Sequence, residues 1–122
     1  TLYDYDQATG ALSHPRLFSR AAEGGGFPDG MTVDADGDVW SARWDGDCLV
    51  RYNPDGVETG RIPFPVRKVS SVVFGDHDCG AMYVTTAGGD QKETDGPAAG
   101  TLYRLVVPGV RGVPEFPSRV RL

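Results

Sequence analysis

The sequence predicts an all-β chain, and three observations carry that prediction. Glycine occupies 17 of 122 positions and proline nine, and this glycine share is roughly twice the usual one. These residues fall between short runs rich in β-branched and aromatic side chains, such as Val39–Trp44 and Val69–Phe74, which is how strands and tight turns alternate. The third observation is an internal repeat. Thr1-Leu2-Tyr3-Asp4-Tyr5-Asp6, Cys48-Leu49-Val50-Arg51-Tyr52-Asn53 and Thr101-Leu102-Tyr103-Arg104-Leu105-Val106 each run into a glycine turn, and they start 47 and 53 residues apart. That period suits one propeller blade of four strands per repeat.

Each element follows from its residues. The opening run Thr1–Asp6 is a strand closed by the Gln7–Gly10 turn, with its partner expected at about Arg16–Ala21. Met31–Asp34 begins a full blade, and Ala35-Asp36-Gly37 turns the chain into Val39–Trp44. Asp45-Gly46-Asp47 leads to Cys48–Asn53, and Pro54-Asp55-Gly56 to about Glu58–Phe64. Each connection is as short as a hairpin requires. A further blade repeats the order, with strands at about Ser70–Phe74, Ala81–Thr86 and Thr101–Val107 and a weaker fourth at Val113–Phe116. No helix of normal length is expected, because Gly or Pro interrupts nearly every window long enough to hold one.

The inventory is about two and a half four-stranded blades: residues 1–22 end one blade, 29–66 form a complete one, and 69–118 form the last. A propeller removes its sheet edges by closing into a ring, which this number of blades does not do. The expectation is therefore a segment covered by missing blades or by self-association.

Composition narrows the partners. A net charge of −5 offers no basic stripe for nucleic acid, and Arg111, Arg119 and Arg121 read as a solvated basic end. No apolar run approaches the roughly 18 residues of a membrane helix. Thr1–Asp6 lacks the basic-then-apolar pattern of a secretory signal, so a cytoplasmic location is expected. The two cysteines, Cys48 and Cys79, are read as free thiols, since a single pair makes no disulfide framework.

Antiparallel strands place the start of a blade's first strand on the same face as its second-to-third loop. That face holds Glu23–Gly30, Asp45–Asp47, Arg67, Lys68 and the long loop Gly88–Gly100. Within it, Phe27-Pro28-Asp29-Gly30 precedes an innermost strand, so Asp29 is expected at the mouth of the central channel. A carboxylate there suits a hard cation or a general base. As a bare tripeptide, Pro-Asp-Gly is equally a common turn.

The other candidates read more plainly. Asp34-Ala35-Asp36-Gly37-Asp38 lacks the sixth-position Gly and twelfth-position Glu of an EF-hand and reads as a hairpin turn. Asp76-His77-Asp78-Cys79 clusters potential zinc ligands on a hairpin tip and reads as a structural turn. His14 reads as a surface residue, and Trp40 and Trp44 share one face of a strand as packing residues. Ser70-Ser71 has no nearby His, and no Gly-x-Ser-x-Gly elbow, Walker loop or dinucleotide fingerprint occurs.

In order, Pro28–Trp40, Arg51-Tyr52-Asn53-Pro54-Asp55-Gly56, Ile62–Val66, Ser70–Gly75 and Met82–Ala87 resemble the SMP-30/gluconolactonase/luciferin-regenerating-enzyme family. The likeness covers nearly the whole chain. It implies the C-terminal part of a six-bladed β-propeller that hydrolyses a sugar lactone with one divalent metal, calcium or zinc. By that similarity Asp29 is a metal ligand and the general base. The other ligands, a Glu and an Asn, are expected upstream of Thr1. A non-catalytic propeller fragment and a calcium-binding regulatory module are the alternative readings.

Overall fold

The computed structural model describes residues 1–115. Nine strands and one helical turn form three antiparallel sheets. The first pairs β1 (Leu2–Tyr5) with β2 (Leu12–Arg16). The second runs in the order β3 (Phe27–Val33), β4 (Val39–Trp44), β5 (Cys48–Tyr52) and β6 (Glu58–Pro63). The third holds β7 (Val69–Gly75), β8 (Ala81–Thr86) and β9 (Leu102–Leu105). Between β8 and β9 lies a single helical turn, α1 (Lys92–Asp95). The chain is all-β, as its composition and repeat predict.

The central sheet is buried on both sides, and its pleat sorts the side chains. Trp40, Ala42 and Leu49 face the third sheet, where they pack on Val69, Val72, Met82 and Val84. Phe64 meets Tyr103 edge-to-face in the same core, with ring centres 5.2 Å apart. The alternate positions Cys48, Val50 and Tyr52 face the other way and pack with Val39 and Phe18. Burying a large apolar side chain of this kind contributes roughly 1.5–3 kcal/mol, so the wider first cluster anchors the two sheets together. At their inner edges, β3 and β7 lie against each other.

Three expectations need correction. The partner of β1 is Leu12–Arg16 rather than Arg16–Ala21. Asp6 explains the earlier return: its carboxylate accepts from the amides of Ala8 and Thr9, and its backbone bonds to Gly10 and Ala11 close a tight turn. Strand β3 begins at Phe27 instead of Met31, because Phe27 and Pro28 already pair with Trp44 and Arg43. Finally, the third sheet has three strands among the described residues. The fourth strand expected at Val113–Phe116 does not form at 113–115, and Phe116 lies outside the described residues. Arg111 and Gly112 are committed elsewhere. Arg111 O accepts from Ala35 N, Gly112 N donates to Cys79 O, and Gly112 bridges to Asp34 across the sheet boundary.

Candidate functional site

Asp29 sits inside β3, within a register irregularity between Pro28 and Met31. The Pro-Asp-Gly tripeptide is thus part of a bulged strand rather than a free turn. Bulges re-aim side chains and recur beside functional sites. The bulge is held by contact with β7: a Cβ on Gly30 would lie 2.7 Å from Ser71 Cβ and 2.8 Å from Ser71 Cα. Only glycine lets the two inner strands approach so closely. Asp29 itself is exposed. It makes no hydrogen bond or ion pair among the described residues.

The segments flanking Asp29 are stitched into one rim. Gly26 abuts Trp44 O and Gly46 N in the β4–β5 loop, where a Cβ would come within 2.6 Å of both. In that loop Asp45 meets Arg67 at 3.0 Å. Asp45 and Asp47 hold left-handed φ values of 58° and 46°, a conformation Asp tolerates better than most residues. Asp47 N donates to Arg67 O, and Arg67 N donates to Asp95 O, which draws in the loop after β8. Lys68 Nζ donates to Asp95 Oδ2 at 2.7 Å and lies 5.5 Å from the centre of the Trp44 ring. A crevice of about 430 Å³ opens among Glu23, Gly26, Phe27, Pro28, Asp45 and Arg67. Asp29 does not line it.

A resident cation does not fit the described residues alone. No group of three or more His, Cys, Asp or Glu side chains among them is placed to hold a metal, and one exposed carboxylate does not offset the dehydration of a divalent ion.

The remaining motifs are structural. Asp34 is buried and accepts from the amides of Asp36 and Asp38, from Trp40 Nε1 at 2.9 Å and from Arg51 at 3.1 Å. With its lone pairs taken, it closes the β3–β4 hairpin. Asp76 is engaged by Arg104 and by Tyr83 Oη, and Asp78 by Arg111 at 2.6 Å. These donors hold both carboxyls below the usual carboxylate range. His14 lies 3.0 Å from Asp4 at the surface. Trp40 is core, and both cysteines are free.

Two features escape a reading of the sequence. The Lys68–Asp95 pair joins residues 27 positions apart, with no local pattern to announce it. Arg43 occupies an inward position of β4 and is buried without a carboxylate partner among the described residues. The available signal is a charge placed where Val39 and Ser41 set the buried alternation.

A family model described as an SMP-30/Gluconolactonase/LRE-like region matches residues 1–88. Pentonolactonase XacC of Haloferax volcanii is 51% identical over 127 aligned positions, covering 98% of this chain and 43% of that protein. L-arabinolactonase of Azospirillum brasilense is 39% identical over 77% of this chain and 32% of its own length. Among solved structures, a calcium-binding protein, regucalcin, from Agrobacterium tumefaciens superposes with a TM-score of 0.81 at 27% identity, covering 97% of this chain and 41% of its own. The chain spans about two fifths or less of the length of these relatives.

Proposed function

The chain belongs to the SMP-30/Gluconolactonase/LRE-like family, and from that premise we propose that it is the C-terminal two and a half blades of a six-bladed lactone-hydrolysing propeller. The observation that carries this reading is the 51% identity to a pentonolactonase across 98% of the chain. The substrate class is a sugar lactone. Exposed apolar side chains at the inner edge, Phe27 and Met31 among them, then meet the remaining blades.

In this reading Asp29 is the general base. Its exposed carboxylate takes a proton from water as the water oxygen adds to the lactone carbonyl carbon. The ring C–O bond then breaks, and the ring oxygen leaves as a hydroxyl once it is protonated. The bulge and the Gly30–Ser71 contact fix where that carboxylate stands. The reading also assigns Asp29 a share in a calcium or zinc site whose other ligands come from outside these 122 residues. Since the described residues do not form such a site, no step is routed through the ion.

The test is a chimera in which these residues replace the matching part of the Haloferax pentonolactonase. Hydrolysis of a pentonolactone is expected to persist, to be abolished by Asp29→Asn and to fall on chelation. Full activity of the Asp29→Asn chimera would remove Asp29 from the chemistry.

A second reading, calcium binding without turnover, is favoured by the likeness to the calcium-binding regucalcin structure. Calcium uptake by the chimera with no lactone hydrolysis selects it.

A further inference from the structure

Arg43 is 3% exposed, yet its Nε and Nη1 have no acceptor among the described residues. Its Nη2 donates to Tyr52 Oη, and the guanidinium lies 5.6 Å from the centre of the Tyr52 ring. A phenol and a ring face orient the cation without neutralising it. Glu58 feels the charge of Arg43, but Arg61 already engages both of its oxygens at 2.5 and 3.0 Å. A buried guanidinium in this state requires an anion.

There is room for one. Arg43 lines a cavity of about 180 Å³ between the opening hairpin and the central sheet, with Leu2, Phe18, Met31, Val39 and Tyr52 among its walls. That is below the roughly 300–1,000 Å³ of ordinary ligand pockets. One cation among apolar walls matches a single negative charge on a short apolar stem. A dianion such as phosphate leaves half its charge unmatched among those walls.

We propose that this cavity is a carboxylate-binding site, with Arg43 as its anchor, for a monocarboxylate on a short apolar stem. A short-chain organic acid has this chemistry, and so does a glutamate side chain in an extended segment laid along the open edge of β1. The site lies on the sheet face turned towards the opening hairpin, and it does not depend on lactone hydrolysis.

The test uses the 122-residue chain. Propionate is titrated while the Arg43 Nε–H resonance is followed by NMR, with propionamide as the neutral isostere. A saturable shift is expected, with propionate at least about tenfold tighter than propionamide, because the charge-assisted bond is the anchor. Arg43→Gln is expected to abolish binding. Two blocked peptides, acetyl-Val-Glu-Val-amide and its Gln counterpart, identify the source. If the Glu peptide binds about tenfold tighter than propionate, the natural occupant is a polypeptide carboxylate. If it binds no tighter, the occupant is a free acid. The proposal is overturned if propionate gives no saturable shift, if propionamide binds equally well, or if folded Arg43→Gln binds as before. Should Arg43→Gln not fold, the comparison of propionate with propionamide on the unaltered chain decides alone.

Discussion

Lys68 Nζ lies 2.7 Å from Asp95 Oδ2, and the pair fastens the loop after β8 to the residue that leads into β7. Asp95 is almost fully buried and Lys68 is one-fifth exposed. Removing one partner leaves the other charge underground, which costs about 3–5 kcal/mol in buried pairs. Asp95→Ala is therefore expected to lower unfolding stability by about 3 kcal/mol, near the lower limit because Lys68 reaches water. The Lys68→Met, Asp95→Leu double variant is expected to lose much less. Urea unfolding of the three variants checks this. Simple additivity of the two single losses would show that the pair is not coupled.

On the opposite face of the sheets, Asp34 serves four donors at once. Asp34→Asn keeps the shape but replaces a charged acceptor with a half-donor, stranding Arg51 or Trp40 Nε1. A hydrogen bond to a charged group contributes roughly 1.5–3 kcal/mol, so a loss of about 2–3 kcal/mol is expected. Thermal unfolding measures that loss. In the pentonolactonase chimera the kcat of Asp34→Asn at a permissive temperature is expected to match the unaltered chimera, since the turn lies away from Asp29.

These two pairs mark the limit of what the sequence shows. Val39–Trp44 and Ala81–Thr86 are legible to the residue because burial on both faces makes each a continuous apolar run between turn residues. Strand β2 is not legible: Leu-Ser-His-Pro-Arg is exposed throughout and offers no alternation. Its pairing leans on Asp4, which meets Arg16 at 2.7 Å and His14 at 3.0 Å. Asp29 is legible as a carboxylate beside an inner strand. Its seat in a bulge is not, because whether Asp-Gly turns or bulges depends on Ser71, far along the chain. Lys68–Asp95 and Arg43 stay hidden for the same reason, since their partners, or lack of them, exist only after folding.

Cys48 sets an alkaline limit to stability. Burial pushes its thiol above the ordinary value of 9.0, with the charge of Asp47 adding to the effect. Above pH 9 the unfolded thiol releases its proton while the folded one keeps it. The folded state then binds more protons, and stability falls with rising pH by up to about 1.4 kcal/mol per unit. The exposed carboxylates of Asp4, Asp76 and Asp78 act in the opposite sense. Their folded values lie below the ordinary 3.8, so their small contribution is present above that pH and fades as acid protonates them. Melting temperatures across pH 8–11 are expected to fall, and Cys48→Ala is expected to flatten that limb. An equally steep limb in the variant would assign it to other groups.

Gly30 joins the fold to the proposed chemistry. Its Cα faces Ser71 so closely that a methyl group would overlap the serine side chain and its backbone at 2.8 Å. Backbone does not swing aside as a flexible side chain does, so the strands themselves must part. Forcing one carbon into such a contact typically costs about 1–3 kcal/mol, and Gly30→Ala is expected to lose stability in that range. The displacement falls on the residue beside Asp29, whose bulge is defined between Pro28 and Met31. In the chimera, kcat is therefore expected to drop well beyond the loss explained by unfolding, since a misplacement of about 1 Å costs up to about a hundredfold in rate. Ser71→Gly removes the side-chain part of the clash, and combining it with Gly30→Ala is expected to restore part of the stability and part of the rate together. Recovery of stability with no recovery of rate would mean that the β3–β7 contact holds the fold without setting the position of Asp29.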